Sequence, residues 1–578
     1  MRKIYYFTTA LFCCIVWTTE GVAQLPLEAH GVWDRGFSHS PVDYPFIKGL
    51  TFNKKWKDIE KAPNIFDWSE LDAAIRKAYD LQTFLYLKIN VGPDSPEWIY
   101  SNGVPRILTE ESRVSEKWPS FPYYLDLDYE RYYHRLIEKF AERIHGYPDE
   151  MQRCVAFIQV QTGSTGDEAA YKTRVKDPEY KLDPRSLEWK NFRLSAFEKF
   201  NEAFQKAPGE MKIPLLFNAV GGDDYGEEWE WVLQHIKGGI GIKEGALSRG
   251  HHLKKEREVY EKWISYLVNP TGQRLFRRSE MDQTWRRTWY QLNPNLNFYW
   301  GAINALNAGQ SVWDITSRAI DASQEEGFDQ AFYFFNKYAG QIYPATSTDA
   351  FCALHKGLDA SDTEAYPESA YGKAVPRNAD RMIAICEQYV RYGARVDDVD
   401  ALRMGQVAQR RSQKGFNDVG WAIWPENYER FLHQIDADQT SVPLWRIGGE
   451  ISETSSIYSR FARGFEHISG KDEMYFHLHD AFIQSDKPKT VSIRIVWYDQ
   501  VPGSTWELVY DAGKDEMNTA LKVTGSGDKV WKEQIVIVKD AVLQRNGLRG
   551  SDFALRNTDE KDDVFSMIEI HRDLPNSK

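Results

Sequence analysis

Eight short apolar runs alternate with amphipathic stretches between about residue 28 and residue 320, and this alternation constrains the fold most strongly. Runs of this length are typical of buried strands, and the stretches between them have helical periodicity, as in Tyr129–His145 and Leu187–Lys206. The runs are HGVWDRG (30–36), IKGLTF (47–52), TFLYLKINV (83–91), CVAFIQVQ (154–161), IPLLFNA (213–219), IGIKEGAL (240–247), RLFRRSEM (274–281) and QSVWDIT (310–316). Strands that alternate with helices favour a parallel sheet with crossover helices.

Eight such units in about 290 residues predict a closed (β/α)8 barrel, or TIM barrel. The rival is an open doubly wound sheet, which normally has a glycine-rich phosphate turn after its first strand. The stretch GVWDRGFSH has no such turn. We expect the barrel over residues 24–435, with the helical and loopy region 320–435 supplying the last barrel helix and an extension.

After about residue 440 the pattern changes to short alternating strands separated by Gly, Asp, Pro and Lys turns. TVSIRIVWYD (490–499) and VFSMIEIHR (564–572) are examples. Strands of this kind predict an antiparallel, jelly-roll-like β-sandwich over residues 440–578. The predicted fold class is therefore α/β, a TIM barrel followed by a C-terminal antiparallel β-sandwich.

Residues 1–23 have the pattern of a secretory signal peptide. Two basic residues precede the short apolar stretch Ile4–Trp17, and small residues precede Gln24. A lipid anchor on Cys13 is the rival, but the bulky Phe12 before it does not fit one. No later segment has about 18 consecutive apolar residues, so no membrane span is predicted. The sequence predicts an exported protein, periplasmic or secreted.

Charge and aromatic content narrow the class of partner. The formal net charge of -12 argues against nucleic acid, because affinity for nucleic acid comes from Lys and Arg side chains that neutralise phosphates. Aromatic residues make up 14% of the chain, which suits surfaces that stack on sugar rings. The composition therefore favours a poly- or oligosaccharide as the partner and leaves the oligomeric state open.

Polar side chains follow nearly every predicted barrel strand. In a (β/α)8 barrel the active site lies at the C-terminal ends of the strands. Sugar-cleaving sites need a mixture of carboxylates, amides and indoles, and these strand ends supply that mixture. The candidate substrate-binding residues are Arg35, Asn53, Asn90, Gln161, Asn218, Glu244, His251, Trp285 and Trp313.

Two carboxylates are the candidate catalytic pair. Glu168 follows the fourth strand and Glu280 ends the seventh. Glycosidic cleavage needs two carboxyl groups, about 5 Å apart in retaining and about 6.5–9.5 Å apart in inverting enzymes. Other interpretations stay open, because Glu168 is also placed to begin a helix and Glu280 to pair with Arg277 or Arg278.

One stretch carries a family resemblance. Residues 52–89 resemble the second repeat of retaining (β/α)8 glycoside hydrolases, especially family 42, in which a strand, a Trp, an acid and a turn precede F-D/W-x-x-L-D at a helix start. The matching residues are Trp56, Glu60, Phe66, Asp67, Trp68, Leu71 and Asp72. SPEWIY (95–100) is similar to the P-x-W-[LI] segment after the third strand.

The resemblance implies a function. It places the acid/base after strand four and the nucleophile at the end of strand seven, here Glu168 and Glu280, with β-galactosidic substrates and neither a cofactor nor a metal. Asp167 stands where that clan usually has Asn. Two rivals remain: a non-catalytic carbohydrate-binding protein on the same barrel, and another hydrolase or lyase that uses Glu244 or the pair His251 and His252.

Overall fold

The computed structural model describes residues 24–573 apart from 165–169, 172, 184, 208, 219–224, 244–274, 282, 377, 396–417, 484 and 515. The signal peptide expected at 1–23 lies outside the described residues, and so does the helix expected at 254–268. Within the described ranges, no helix combines the length and the apolar character needed to cross a membrane.

Eight parallel strands close into a barrel, which confirms the predicted architecture. Neighbouring strands pair in chain order, and the eighth pairs with the first, with Val32 opposite Trp313. The strands are β1 (Gly31–Asp34), β2 (Ile47–Lys55), β3 (Phe84–Asn90), β4 (Val155–Gln159), β5 (Leu215–Asn218), β6 (Ile240–Lys243), β7 (Leu275–Met281) and β8 (Val312–Ile315). Each of them falls within or overlaps one of the eight apolar runs.

Helices cover the outside of the barrel, and polar side chains begin several of them. Asp126 accepts hydrogen bonds from two backbone N–H groups at the start of α2, and Asn293 accepts one at the start of α5. The helices are α1 (Ser69–Asp80), α2 (Leu127–His145), α3 (Leu187–Asn201), α4 (Tyr225–His235), α5 (Pro294–Asn307), α6 (Ser317–Glu326), α7 (Asp329–Ala339) and α8 (Ala379–Glu387). The helix that packs back onto β1 is α7.

Large apolar side chains fill the lower part of the barrel interior. The set is Trp33, Tyr86, Ala156, Phe157, Leu216, Phe276 and Val312. Two glycines make room for it, because a Cβ at Gly49 would lie 2.5 Å from the Trp33 ring and one at Gly241 would lie 2.2 Å from the Phe276 ring. The barrel interior is therefore a packed core towards the N-terminal ends of the strands, and the C-terminal ends are left for a site.

Two antiparallel sheets form the C-terminal sandwich, as predicted. The larger sheet has the order β10-β9-β20-β13-β12, with β15 between β18 and β20, and the smaller has the order β11-β14-β19-β16-β17. The strands are β9 (Asp349–Ala353), β10 (Tyr428–Arg430), β11 (Leu432–Ile435), β12 (Val442–Trp445), β13 (Phe461–Gly464), β14 (Glu473–Leu478), β15 (Lys489–Asp499), β16 (Thr505–Tyr510), β17 (Asn518–Thr524), β18 (Val530–Ala541), β19 (Phe553–Asn557) and β20 (Val564–Arg572).

Strands from before residue 440 take part in both sheets. β9 lies between β10 and β20 in the larger sheet, and β11 is an edge of the smaller one. The chain thus supplies a central strand to the sandwich soon after it leaves α7. The domain bounds expected from the sequence, 24–435 and 440–578, stay a prediction.

The sandwich packs against the barrel through polar and aromatic contacts. The ring of Trp300 in α5 lies 4.9 Å from that of Phe461, and its Nε1 donates to the Ile457 carbonyl at 2.9 Å. Glu569 of β20 accepts hydrogen bonds from Tyr338 and Lys337 of α7. These contacts attach the sandwich to the helices that follow β7 and β8.

Candidate active site

The inner faces of the barrel strands form the candidate site. Successive side chains of a strand point to opposite faces, so residues two positions beyond a floor residue also point inward. On β3, Lys88 follows the floor residue Tyr86 at this spacing. On β7, Phe276 is followed by Arg278 and Glu280. Charged side chains therefore lie directly above the apolar floor, at the C-terminal end of the strands.

Glu280 is the acid at the centre of this site. Its Oε2 lies 2.7 Å from Nη2 of Arg35 and 3.8 Å from Nη2 of Arg278. Its Oε1 lies 3.9 Å from Nζ of Lys243. The Glu280 side chain is 15% exposed, so the carboxylate is sheltered but still open to a ligand. The predicted position at the end of the seventh strand thus carries an ion-paired carboxylate.

Basic neighbours determine the charge of Glu280. Burial alone would raise its pKa, but Lys243, Arg278, Arg35 and Lys88 outweigh burial and lower the pKa to about 2. The carboxylate is consequently ionised at neutral pH. An ionised carboxylate can act as a nucleophile or hold a cation, whereas it cannot serve as a general acid.

A second ion pair lies beneath Glu280. Asp314 of β8 pairs with Nη2 of Arg278, which also donates to the Tyr86 hydroxyl at 2.8 Å. Burial alone would lower the pKa of Arg278, but the carboxylates of Asp314 and Glu280 raise it above its usual range. Arg278 therefore stays charged, fixed between the apolar floor and the open end of the barrel.

The loop after β1 presents Arg35 to Glu280. The buried Asp34 accepts hydrogen bonds from Ser317 Oγ at 2.8 Å and from the Gly36 N–H at 2.9 Å. Its other oxygen lies 3.0 Å from Nδ1 of His39. These bonds fix the loop on both sides of Arg35, so its guanidinium is held against the carboxylate.

Amide side chains lie near the same end of the barrel. Asn90 donates to Asn53 at 2.6 Å, which joins the ends of β3 and β2. Gln161 is 2% exposed, and its Nε2 donates to the Ser164 carbonyl at 3.0 Å, so it holds the loop that follows β4. Asn218 ends β5 and is 5% exposed. Their predicted roles in substrate binding stay predictions.

One of the two predicted tryptophans, Trp313, does not face the site. Trp313 is fully buried against Phe298, Phe332 and Phe335, so the prediction that it contacts substrate is wrong. The reason is strand parity: Asp314 points into the barrel, so Trp313 next to it points out into the helices. Trp285 is 7% exposed, and its predicted contact with substrate stays a prediction.

Three predicted site residues, Glu168, Glu244 and His251, lie outside the described residues. The chain on either side of Glu168 is described, and both Ser164 and Ala170 are 1% exposed. Both flanks of that segment are thus buried in the protein. In the part of the chain that the structure describes, no three His, Cys, Asp or Glu side chains group in a way that would hold a metal ion.

Sequence reasoning missed most of the basic residues of the site. Lys88 and Lys243 are not among the predicted site residues, and Arg278 appears there only as an ion-pair partner of Glu280. The pairing of Glu280 with Arg278, one of the interpretations that stayed open, is present at 3.8 Å. The signal that identifies the other two is strand parity, since each lies on the inward-facing register of its strand.

Glu60, the acid of the family-42-like stretch, has a structural role. Glu60 is fully buried and accepts hydrogen bonds from Trp56 Nε1 and from the Asn64 N–H, both at 2.8 Å. It also pairs with Arg135 of α2. This acid therefore ties the turn after β2 to the neighbouring helix, away from Glu280.

No family model and no curated protein matches the sequence. Solved structures that resemble it include a GH42 β-galactosidase from G. stearothermophilus, at 11% identity and a TM-score of 0.37, over 56% of this chain and 59% of that one. A glucosidase from Croceicoccus marinus has 9% identity and a TM-score of 0.33, over 96% and 97% of the two chains.

A β-galactosidase from the psychrophilic Marinomonas ef1 has 12% identity and a TM-score of 0.31, over 49% of this chain and 53% of that one. The chain thus matches between half and three-fifths of the length of these two β-galactosidases. The three proteins in these structures are glycosidases. At TM-scores this low, the similarity assigns neither a family nor an activity to this chain.

Proposed function

We propose that this protein is an exported retaining glycoside hydrolase that cleaves β-glycosidic bonds of a poly- or oligosaccharide, with β-galactosides as first candidates. The observation that carries the proposal is Glu280, a sheltered carboxylate at the C-terminal end of β7 that its neighbours keep ionised. A retaining enzyme needs such a carboxylate as its nucleophile. The resemblance of residues 52–89 to retaining hydrolases supports the same assignment.

The first step forms a covalent intermediate. A carboxylate oxygen of Glu280 attacks the anomeric carbon, and the bond from that carbon to the leaving oxygen breaks. Glu168, protonated, gives its proton to the leaving oxygen, so the first product departs as an alcohol. Arg35 lies on Oε2 at 2.7 Å, which leaves Oε1 as the oxygen that attacks.

The second step releases the sugar. Glu168, now a carboxylate, takes a proton from water, and the water oxygen attacks the anomeric carbon. The ester bond to Glu280 breaks, and the carboxylate is regenerated. Two inversions at the same carbon retain its configuration, which distinguishes this mechanism from single displacement by water.

The flanks of the Glu168 segment support its assignment as acid/base. Thr162 accepts a hydrogen bond from Arg193 of α3 at 2.9 Å, and the Gln161 carbonyl accepts one from the Tyr133 hydroxyl. The chain beyond the segment is buried at Ala170. Both attachments lie after β4, at the end of the barrel that carries Glu280.

A second candidate function is carbohydrate binding without catalysis. The observation that favours it is the ion pair itself, because Arg35 on Glu280 and a pKa of about 2 make the carboxylate a weaker nucleophile than an unpaired one. A binding protein would retain oligosaccharides without releasing products. Incubation of the wild-type protein with galactan, mannan and glucan oligosaccharides, followed by product sizing, separates the two functions.

Replacement of the nucleophile gives the sharper test. Glu280→Gly should lower kcat by at least about 1,000-fold, because the covalent route is lost. Azide is small enough to enter the space left by the side chain and should restore turnover, giving a glycosyl azide of inverted configuration. Proton NMR of the product identifies that configuration.

Matched variants separate chemistry from a general loss of charge. Glu364→Gln, at an exposed site with the same side chain, should keep wild-type kcat. Glu168→Gln should lose activity on substrates with poor leaving groups and keep more of it on aryl glycosides, whose leaving group needs no proton. Wild-type turnover in Glu280→Gly would refute the proposed nucleophile.

A further inference from the structure

Basic side chains surround Glu280 from four strands of the barrel. Arg35 follows β1, Lys88 lies on β3, Lys243 ends β6 and Arg278 lies on β7. Three of them are within 4 Å of the carboxylate, and Lys88 adds to the positive field around it. Among the described residues, four cations thus contribute to the positive field at Glu280, where a substrate would bind.

The cations divide into a buried and an accessible group. Arg278 is 2% exposed and already held by Asp314 below Glu280, so it belongs to the floor of the site. Arg35 has a side chain that is 36% exposed, and its Nη2 lies 2.7 Å from Oε2 of Glu280. A guanidinium has several donors in a planar fork, so Arg35 has the geometry to bind a second oxyanion.

A neutral sugar accounts for the cations only as the groups that keep Glu280 ionised, and it leaves the exposed side of Arg35 without a role. The pair Asn53 and Asn90 supplies amides that can bind hydroxyl groups at this end of the barrel. Cations grouped around the nucleophile lower its basicity, which slows attack on a neutral glycoside. The same cations are useful where a substrate carries its own negative charge, because that charge would otherwise be repelled by Glu280.

We infer that the substrate is an acidic saccharide whose carboxylate or sulfate ester is bound by Arg35 beside Glu280, in the positive field of Lys88 and Lys243. This inference rests on the proposed function, since it names the substrate class of the same site. Carboxylate and sulfate share the chemistry that matters here, an oxyanion that accepts hydrogen bonds from a guanidinium.

Matched aryl glycosides test the inference. The set comprises 4-nitrophenyl β-galactoside, the corresponding β-galacturonide and β-glucuronide, and the galactoside 6-sulfate. We expect at least one acidic substrate to exceed the neutral galactoside about tenfold in kcat/KM. Sodium chloride should reduce kcat/KM for the acidic substrate more than for the neutral one, because salt screens the attraction. Comparison of the two uronides with the galactoside 6-sulfate shows whether a carboxylate or a sulfate ester is bound.

Charge-removing variants assign the effect to Arg35. Arg35→Gln should lower kcat/KM for the acidic substrate about tenfold or more, chiefly through KM, and should narrow its advantage over the neutral galactoside. Lys243→Gln should do the same to a smaller extent. Lys522→Gln on the sandwich, where the lysine side chain is 75% exposed, removes one charge far from the barrel and should leave the preference unchanged.

The outcomes separate the inference from the proposed function. Hydrolysis that is equal on acidic and neutral substrates, or variants that affect both equally, would overturn the inference and leave the hydrolase intact. If no substrate is cleaved, calorimetric titration tests whether the site prefers an acidic saccharide. The ligands are oligouronides, sulfated galactan oligosaccharides and neutral galactan oligosaccharides. Tighter binding of an acidic ligand that Arg35→Gln abolishes keeps the inference, and equal or no binding refutes it.

Discussion

Glu280 in the barrel and Asp563 in the sandwich are both shielded from solvent, Glu280 partly and Asp563 fully, yet their pKa values move in opposite directions. The pKa of Glu280 falls to about 2 among basic side chains. Burial raises the pKa of Asp563 to about 7, and the single hydrogen bond from Ser504 at 2.8 Å offsets only part of this. The neighbouring charges around Asp563 are also acidic: Asp499, Asp559 and Asp562.

For Glu280 and Asp563 the difference follows the sign of the surrounding charge, whereas at the fully buried Asp314 burial raises the pKa despite Arg278 and Arg35. Parallel strands bring residues from distant parts of the chain to one end of the barrel, so four cations converge there. Of the acids near Asp563, Asp559 and Asp562 come from the turn between β19 and β20, and Asp499 ends β15. The ionised Glu280 is therefore available for chemistry, whereas Asp563 affects mainly stability.

The largest expected effect on stability comes from the ion pair below Glu280. Asp314→Asn leaves the buried Arg278 without its closest carboxylate, and we expect the free energy of unfolding to fall by about 3 kcal/mol. Urea unfolding followed by tryptophan fluorescence measures it. The same substitution at the exposed Asp480, which pairs with Arg545, should change stability by less than about 0.5 kcal/mol. Equal effects at the two sites would contradict the comparison.

Asp563→Asn should instead stabilise the protein at alkaline pH. A pKa raised from 3.8 to about 7 means that the folded state holds the proton more tightly, so stability falls as pH rises through 7. The amide cannot ionise. The free energy of unfolding of the variant minus that of the wild type should therefore be about 2 kcal/mol larger at pH 8 than at pH 5.

The control for this pH effect is Asp573→Asn, whose side chain is 90% exposed. It should follow the wild-type pH dependence of stability. Thermal unfolding by circular dichroism at pH 5, 6.5 and 8 measures all three proteins. A wild-type pH dependence in Asp563→Asn would show that this carboxyl is not the group that titrates.

The smallest effect concerns His39, which holds the loop that presents Arg35. Burial would lower its pKa, but hydrogen bonds to Asp321 and Asp34 raise it above 6.5. Its stabilisation is complete below pH 6.5 and is lost as pH rises through the raised value. His39→Gln should lower Tm by about 1–2 °C at pH 6 and by less at pH 9. A difference in Tm that does not change with pH would contradict this role of charge.

Much of the fold could be predicted because strand burial leaves a direct signal in the sequence. All eight barrel strands lie in or overlap apolar runs, and β15 alternates between buried and more exposed residues over its first half. β9 was not predicted, because its five residues lie in the region 320–435, whose pattern favours helices and loops. Its pairing with β20 joins segments far apart in the chain, and local pattern contains no information about such a partner.

The site was predicted only in part, because polar residues near a strand end were considered without regard to the face they occupy. Glu280 was found from its position, and Arg35 is in contact with it. Trp313 was assigned to the wrong face, and Lys88 and Lys243 were overlooked. Counting alternate residues along each strand from the aromatic residues inside the barrel gives the correct face for all three. Which aromatic residues lie inside, however, is known only from the closed barrel.

The position of β9 has a consequence for how the protein is made. β9 pairs along its whole length with β20, which follows it by about 200 residues, a stretch that takes a ribosome roughly 10–40 s to synthesise. The barrel strands are all complete before β9 emerges. Until β20 arrives, β9 has no strand on that side, and an uncovered edge is prone to pairing with other chains. The sandwich is therefore the part of the newly made chain most in need of protection from aggregation.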